Sequence, residues 1–336
     1  MPDAALADLG WQPFFADQCG ADDAGLAPMR VASVHRTRLM AETGSGQVRL
    51  DLPLNGTTAD YAVGDWVLVH PDTRVVARGL ERLSLLRRRT EGAHVRQLIA
   101  ANVDVLFIVT SCNDDFNPAR LERYLALANE AETHPVIVLT KIDKIDDPAQ
   151  WLGRARALQR DLEVVALNAK SPNAAAVLAP WCGPGRTVAL VGSSGVGKST
   201  LLNTLSGRDA QATGAIRESD AKGRHTTTAR SLHPVAGGGW VIDTPGMRTL
   251  HVSDLSAGLN QLFAEITELA PLCRFRDCTH AHEPGCAVQA AVAAGTLSAE
   301  RVERWRKLAE ENRANTPVQT GPRGNRTTLP RGGKRR

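Results

Sequence analysis

The sequence lacks any apolar run that approaches the ~18 residues needed to cross a membrane. It also lacks a basic region at its start, where Asp3 and Asp8 stand instead. These absences exclude a membrane-spanning protein and a secretory signal peptide. They predict a cytoplasmic protein with no membrane partner.

The six cysteines lack the spacing of a disulfide framework. Three are isolated along the chain, and the other three crowd into the segment 273–286. This distribution excludes a small disulfide-stapled scaffold, and it indicates metal binding in a reducing compartment.

The segment 313–336 lacks acidic residues and contains seven basic ones. Because the formal net charge of the whole chain is +4, the remainder carries −3. A basic segment rich in Gly, Pro, Thr and Asn cannot bury a core, so it is predicted to be a disordered tail. Two roles stay open for it, namely solubilisation and contact with a polyanion.

A chain of 336 residues is long enough for two or three domains. Residues 1–27 predict a short helical lead-in. The spacing of the strand-like runs that follow predicts an OB-type β-barrel, which suits RNA binding, over residues 1–90. The runs lie at 29–41, 47–54, 65–70 and 74–80.

Beyond residue 95, buried strands alternate with amphipathic helices, which predicts an α/β layered sheet. The continuous apolar runs 103–111 and 134–140 are typical of strands covered on both faces. After residue 252 the pattern becomes helical. We therefore predict an α/β domain at 91–252 and a helical domain at 253–312.

The run Gly192–Ser199, GSSGVGKS, fills every position of the phosphate-binding pattern GxxxxGK[ST] between a predicted strand and helix. Glycines let backbone N–H groups approach phosphates, and the helix start adds positive charge. Lys198 is predicted to reach the β- and γ-phosphates, and Ser199 to bind Mg²⁺.

Two further segments suit the same site. Asp243 ends a predicted strand in DTPG, where it would hold Mg²⁺ through water, and the N–H of Gly246 would meet the γ-phosphate. The run 223–228, GRHTTT, predicts a mobile loop in which a threonine hydroxyl completes the Mg²⁺ shell. A plain polar surface loop is the alternative for that run.

The stretch LTKID predicts a guanine-reading loop. Asp143 can accept hydrogen bonds from guanine N1–H and N2–H₂, which adenine lacks, and the stem of Lys141 can cover the purine face. The run 168–170, NAK, would bring a backbone N–H to guanine O6. Because these loops precede the phosphate loop, the reverse of the usual order, we predict a circularly permuted nucleotide domain.

The remaining motif is Cys273-x4-Cys278-x-His280-x5-Cys286. Three thiolates and one imidazole fill a tetrahedral Zn²⁺ shell and leave no position for water, so the predicted metal is structural. His282 is a competing ligand. The alternative is three free buried thiols with a surface histidine.

The permuted motif order, KGRHTTTA, DTPG and the cysteine–histidine spacing together resemble the bacterial ribosome small-subunit-dependent GTPase A family. The resemblance also includes VGDWV and Arg87–Arg89, and only the basic tail falls outside it. It implies an OB-fold, a circularly permuted P-loop GTPase domain and a zinc-binding helical domain. It also implies binding to the small ribosomal subunit and its 16S rRNA, and subunit-stimulated GTP hydrolysis late in that subunit's maturation.

Carried onto this sequence by motif, the resemblance and the residue chemistry give three sets of candidate residues. The nucleotide set is Thr140, Lys141, Ile142, Asp143, Asn168, Ala169, Lys170, Gly192, Ser193, Ser194, Gly195, Val196, Gly197, Lys198, Ser199, Thr200, Asp243 and Gly246. The catalytic set is His225, Lys198 and Thr227. The metal set is Cys273, Cys278, His280 and Cys286.

Two positions depart from the usual GTPase pattern. Thr140 stands where asparagine is usual, and its short hydroxyl predicts looser nucleotide binding with guanine selectivity retained through Asp143. Met247 stands where many GTPases have a water-orienting glutamine, and a thioether cannot orient water. His225 is therefore the catalytic candidate, while a ribosome contact or a structural role is its alternative.

The sequence thus predicts a monomeric GTPase that controls its stay on the small ribosomal subunit by nucleotide state. A nucleotide-gated rRNA-binding module with vestigial hydrolysis is the rival, and an unrelated P-loop ATPase is a weaker one. Asp143 argues against the ATPase.

Overall fold

The computed structural model describes residues 4–43, 46–89, 96–207, 230–244 and 252–316, together with the short strands at 319–320 and 326–327. The first part of the chain is a strip of five antiparallel strands in the order β3-β2-β1-β4-β5. Its elements are α1 (Ala4–Asp8), α2 (Pro13–Ala16), β1 (Ala27–Val34), β2 (Leu39–Glu42), β3 (Gln47–Leu50), β4 (Trp66–Val69) and β5 (Val76–Gly79).

This strip curls back on itself. Asp51, directly after β3, accepts a hydrogen bond from Val76 N at 2.9 Å and donates its own N–H to Arg74 O at 3.0 Å. The two ends of the strip are therefore neighbours. Apolar side chains of all five strands, including Val31 and Val67, point into the enclosed core and are fully buried.

The central part carries a six-stranded section of sheet in the order β10-β9-β8-β11-β13-β12. Its strands are parallel except β12, which is antiparallel to β13. The elements are β6 (Leu85–Arg89), β7 (Arg96–Ala101), β8 (Val105–Ser111), α3 (Pro118–Glu130), β9 (His134–Thr140), α4 (Ala149–Arg156), β10 (Glu163–Ala166), α5 (Ala174–Leu178), β11 (Thr187–Gly192), α6 (Lys198–Ser206), β12 (Ser231–Pro234) and β13 (Trp240–Asp243).

The apolar runs of β8, β9 and β11 are continuous because both faces of this sheet are covered. Alternate residues of β8 divide between two clusters: Leu106 packs with α3, and Phe107 packs with α5 and α6. The pairing of Ser33 with Ser231 joins β12 to β1, so the central sheet continues into the N-terminal strip.

The C-terminal part is helical. Helix α7 packs on α3, and Gly258 lies so close to it that a Cβ there would be 2.1 Å from Ala126 O. The elements are α7 (Ser256–Leu262), α8 (Ala264–Leu269), α9 (Ala287–Ala293), α10 (Ala299–Asn315), β14 (Gln319–Thr320) and β15 (Arg326–Thr327).

The predicted alternation of strands and helices agrees with most of these elements. The run 29–41 forms two strands, β1 and β2, and the sequence does not predict β6, β7 or β12. β12 is a four-residue strand beside a polar loop and has no clear period. The predicted boundary at residue 90 falls between β6 and β7, which pair as a hairpin. Helix α10 extends into the segment predicted as the basic tail, and β14 pairs with β15 within it. Within the described residues, no helix is long and apolar enough to cross a membrane.

Candidate nucleotide site and metal centre

The glycine-rich run connects β11 to α6 at the carboxyl edge of the sheet. Gly192 has a φ of 141°, and a Cβ there would lie 2.1 Å from Val109 O on the neighbouring strand. Gly195 and Gly197 also have positive φ values, 78° and 100°. A chain of such residues turns successive backbone N–H groups toward one concave surface, which is how phosphate-binding loops are built.

Lys198 is the first residue of α6, and its ammonium group lies within this loop. Its Nζ donates to the carbonyl of Gly192 at 2.8 Å and also to that of Ser193. The positive charge is therefore held at the start of a helix, beside the loop that would carry the phosphates.

The guanine-reading candidate follows β9. Lys141 has a left-handed backbone with a φ of 60°, and a 3₁₀ turn at Ile142–Lys144 follows it. Asp143 is exposed on this turn, whereas Thr140 is fully buried beneath it. The turn thus presents the Asp143 carboxylate to solvent at the same sheet edge as the phosphate loop.

Thr140 connects the two loops. Its hydroxyl lies 2.6 Å from the carbonyl oxygen of Val196 in the phosphate loop and 3.1 Å from that of Thr110 on β8. A hydroxyl has one proton, so it donates to one of these oxygens at a time, and the Val196 contact is the shorter. The residue that departs from the usual pattern therefore still links the base loop to the phosphate loop.

The loop after β10 also rests on the phosphate side. Asn168 Oδ1 accepts a hydrogen bond from Lys170 N at 2.9 Å, which tightens the turn. The hydroxyl of Thr204 on α6 lies 2.9 Å from both Ala169 O and Thr200 O, and donates to one of these oxygens at a time. This side-chain link from α6 was missed by the sequence analysis, because a threonine inside a helix carries no signal of a distant partner.

Asp243 is the last residue of β13 and pairs with Leu190 in the parallel ladder beside it. It is 8% exposed. The hydroxyl of Thr244 donates to Leu190 O at 2.6 Å, which fixes the chain directly after the carboxylate. The structure thus brings the predicted loops after β9, β10, β11 and β13 to one edge, where open α/β sheets bind ligands.

Four predicted positions cannot be placed in this geometry. His225, Thr227, Gly246 and Met247 lie outside the described residues. Their roles stay predictions.

The four residues of the cysteine–histidine motif converge within the C-terminal part. Their candidate ligand atoms all lie within 4.8 Å of one another. His280 Nδ1 is 3.4 Å from the sulfur atoms of Cys273 and Cys286, and those two sulfurs are 3.9 Å apart. The competing His282 is exposed and is not part of the group.

Residues of α9 and α10 contact both the ring and the backbone of His280. The ring of Trp305 lies 5.4 Å from that of His280, centroid to centroid. The backbone oxygen of His280 accepts hydrogen bonds from Gln289 Nε2 at 2.6 Å and from the guanidinium of Arg306. Sequence spacing gave no sign of these supports, because they come from α9 and α10.

The pKa shifts of the cluster differ between its members. Burial lowers the pKa of His280, which favours the neutral imidazole that binds metal. Burial raises the pKa of Cys278 to about 11. For Cys273, burial acts in the same direction, but hydrogen bonds from the N–H groups of Ala287 and Val288 and from neighbouring thiols leave its pKa lowered. A divalent cation at this point would favour the thiolate form of all three cysteines.

The comparisons with known proteins agree with this geometry. Residues 79–253 match the model of the RsgA GTPase family. The chain is also 65% identical over 334 residues to the small ribosomal subunit biogenesis GTPase RsgA of Mesorhizobium japonicum, covering 98% of this chain and 96% of that protein. This chain belongs to the RsgA GTPase family.

The relation extends to other RsgA proteins and to solved structures. Small ribosomal subunit biogenesis GTPase RsgA 2 of Vibrio vulnificus is 49% identical, covering 92% of this chain and 88% of that one. The crystal structure of YjeQ from Thermotoga maritima superposes with a TM-score of 0.62 at 27% identity, covering 85% of this chain and 98% of that one. YloQ, described as a circularly permuted GTPase, shares the fold with a TM-score of 0.60 at 22% identity, covering 90% and 100%. The predicted family and permuted fold are confirmed.

Proposed function

We propose that this protein is a GTPase of small ribosomal subunit biogenesis, which hydrolyses GTP to GDP and phosphate and is stimulated by the small subunit. The observation that carries the proposal is the contact between Thr140 and Val196, which joins a guanine-reading loop to a phosphate loop at one sheet edge. The relatives named as biogenesis GTPases of that subunit, one of them at 65% identity, support the biological role.

Three residues would recognise the guanine base. The Asp143 carboxylate accepts the N1–H and N2–H₂ protons of guanine, and the stem of Lys141 lies along the ring. The turn stabilised by Asn168 offers a backbone N–H to guanine O6. This arrangement rejects adenine, because adenine has an acceptor at N1, no amino group at C2, and an amino donor in place of O6.

The phosphates would lie in the loop Gly192–Gly197. Backbone N–H groups and the Lys198 ammonium bind the β- and γ-phosphates. Ser199 is the second residue of α6, and the buried Asp243 ends the neighbouring strand, so an alcohol and a carboxylate are available for a Mg²⁺ ion. Bound Mg²⁺ neutralises the charge that develops on the phosphates during transfer.

Hydrolysis needs a group that orients the attacking water. In our proposal His225 supplies it as a neutral imidazole, and Thr227 contributes its hydroxyl to the Mg²⁺ shell. Gly246 adds a backbone N–H at the γ-phosphate. Met247 takes no part, since a thioether neither donates nor accepts a useful hydrogen bond.

The metal centre would hold one structural Zn²⁺ ion. Three sulfurs and one imidazole nitrogen are the donor set that zinc takes in closed tetrahedral sites, and the close approach of their ligand atoms fits it. With every position taken by protein, such an ion would stabilise the C-terminal part and would not activate water.

The flanking parts would grip the ribosomal subunit. We propose that residues 1–90 are a lead-in and an OB-type barrel, 91–252 the permuted GTPase domain, 253–312 the zinc-binding helical domain, and 313–336 a basic tail. Barrels of this type bind structured or single-stranded RNA, which supports 16S rRNA as the direct partner. The protein would act in the cytoplasm as a monomer.

The decisive test is GTP hydrolysis by the purified protein, titrated with purified small ribosomal subunits. The proposal expects slow basal turnover that rises to a plateau with subunit concentration, while large subunits have no effect. Turnover that stays at the basal rate while the protein binds the subunit in a GTP-dependent way would favour the rRNA-binding module with vestigial hydrolysis instead.

A further inference from the structure

After Asp243, the chain is held in place at two residues on its way to the C-terminal helices. The first is Thr244, buried and bonded to Leu190 O directly after Asp243. The second is Val252, which is 0% exposed within the large core cluster. Whatever holds Val252 therefore sets where the segment that follows Asp243 must end.

The last turn of α10 supplies that hold. Val252 N donates to Glu311 Oε1 at 3.1 Å, and Val252 O accepts from Asn315 Nδ2 at 3.1 Å. Leu255 N donates to Asn312 Oδ1 at 2.9 Å. Side chains some sixty positions further along the chain thus satisfy the backbone of a segment that has no regular structure of its own.

The same segment contains a strained residue. Asp254 has a φ of 56°, in the left-handed region that non-glycine residues seldom occupy. Its N–H donates to Thr316 Oγ1 at 2.8 Å. Such conformations persist only where the surroundings over-determine them, and here α10 provides the surroundings.

Glu311 also fastens this turn to the nucleotide domain. Its second oxygen, Oε2, accepts from Arg123 Nη2 of α3 at 2.6 Å. Nearer the start of α10, Arg301 and Arg304 both bind the buried carboxylate of Glu122, again on α3. The Glu311 carboxylate of α10 therefore contacts both α3 and the backbone at Val252.

We propose that Glu311 is a positioning residue for GTP hydrolysis, which fixes the backbone at Val252 and, with Asn312 and Thr316, sets the end point of the segment leaving Asp243. The proposal rests on the function proposed above. It assigns Glu311 no contact with nucleotide. Its loss should therefore slow the chemical step and leave the binding of GDP intact, because the described hydrogen bonds of Glu311 go to Val252 and Arg123 and not to the base or phosphate loops.

The test is single-turnover GTP hydrolysis on saturating small ribosomal subunits, measured beside GDP affinity and thermal unfolding. Glu311→Ala should lower kcat by about tenfold, the scale of one lost charge-assisted hydrogen bond. Glu311→Gln should recover part of this, since its amide oxygen still accepts from Val252 N. Glu310→Ala, the same change at an exposed neighbour on the same helix, is the matched control and should keep wild-type kcat.

Each result either supports or overturns the role of Glu311. A folded Glu311→Ala protein with wild-type kcat would overturn the inference, as would a loss of GDP affinity as large as the loss of kcat. If that variant does not fold, Thr316→Val removes the acceptor of Asp254 N without changing side-chain size. A lower kcat in folded Thr316→Val then supports the inference, and an unchanged one overturns it. A wild-type protein without turnover would overturn the proposed GTPase function itself.

Discussion

The two candidate sites of this molecule are built in opposite ways. The nucleotide site collects loops that follow β9, β10, β11 and β13, and the sheet's hydrogen-bond ladders bring these distant segments together. The metal centre takes all its residues from 273–286, a segment in which no helix or strand occurs between Leu272 and Ala287. The first set of loops is brought together by the global fold, whereas the second group lies within fourteen consecutive residues.

This difference has a thermodynamic consequence. A site assembled by a sheet is present before its ligand arrives, so its loops are pre-organised. The segment 273–286 has no helix or strand of its own, so a metal ion bound there would add folding free energy to it. The two sites should therefore fail independently, and single substitutions can show whether they do.

The largest effect is expected at Gly192. A Cβ there would lie 2.1 Å from Val109 O, and a φ of 141° adds strain of about 1–3 kcal/mol for any other residue. Gly192→Ala should abolish measurable GTP and GDP binding while the metal content stays at one equivalent. Gly195→Ala is the control, because its φ of 78° brings backbone strain too but nothing lies within 4 Å of a Cβ there, so it should lose less affinity. Equal losses in both variants would show that the close approach to β8 is not the cause.

At the metal centre, Cys278→Ser should remove the metal and lower the thermal stability of the C-terminal part. GTP affinity of the isolated protein should change by less than about twofold, because the sheet that builds that site is untouched. Metal analysis and nucleotide titration on the same sample measure both effects. His282→Ala is the control and should keep full metal content, and one full equivalent of zinc in the Cys278 variant would remove this cysteine from the ligand set.

Catalysis should separate from binding within the nucleotide site itself. His225→Ala should lower subunit-stimulated kcat by roughly 10²-fold, the usual scale for removing a positioned acid–base group. GTP binding and association with the small subunit should stay near wild type. Single-turnover hydrolysis on saturating subunits measures this, and unchanged turnover would assign the water to another residue or to the ribosome.

The smallest of these effects is expected at Thr140. Thr140→Val keeps the shape of the side chain and loses the hydrogen bond to Val196 O, so GTP and GDP affinity should both fall by about tenfold. Thr140→Ser retains the hydroxyl and should bind nearly as wild type. Fluorescence titration with labelled guanine nucleotides gives the constants. A fall confined to GTP would contradict a role in holding the phosphate loop.

Sequence alone predicted that the candidate nucleotide loops meet, because each motif occupies a strand end and a parallel sheet gathers strand ends at one edge. The convergence of the cysteine–histidine group was predictable for the opposite reason, since its four residues are close in sequence. Contacts between elements that are distant in the chain could not be predicted from the sequence. The bond from Thr140 to Val196 is one such contact, and the looser nucleotide binding expected at Thr140 stays a prediction. The supports of His280 come from Gln289 and Arg306.

The sequence also did not predict the contacts of Arg30, which join the N-terminal strands to the central sheet. Arg30 is 1% exposed, and it donates to neutral oxygens of Leu9, Asn102 and Thr187 from three parts of the chain. Burial lowers its pKa to about 10. A lone arginine in a predicted strand gives no hint of such a role, because strands on a barrel surface often carry one.

In our proposal, one site reads guanine through Asp143 and binds phosphates through the loop that Thr140 touches. Competition between GTP and xanthosine triphosphate is the sharpest test. Wild-type protein should prefer GTP, and Asp143→Asn should reverse the preference, because the amide donates a hydrogen bond where xanthine offers a carbonyl in place of the guanine amino group. If GTP still wins by its original margin in the variant, Asp143 does not read the base and the claim is wrong.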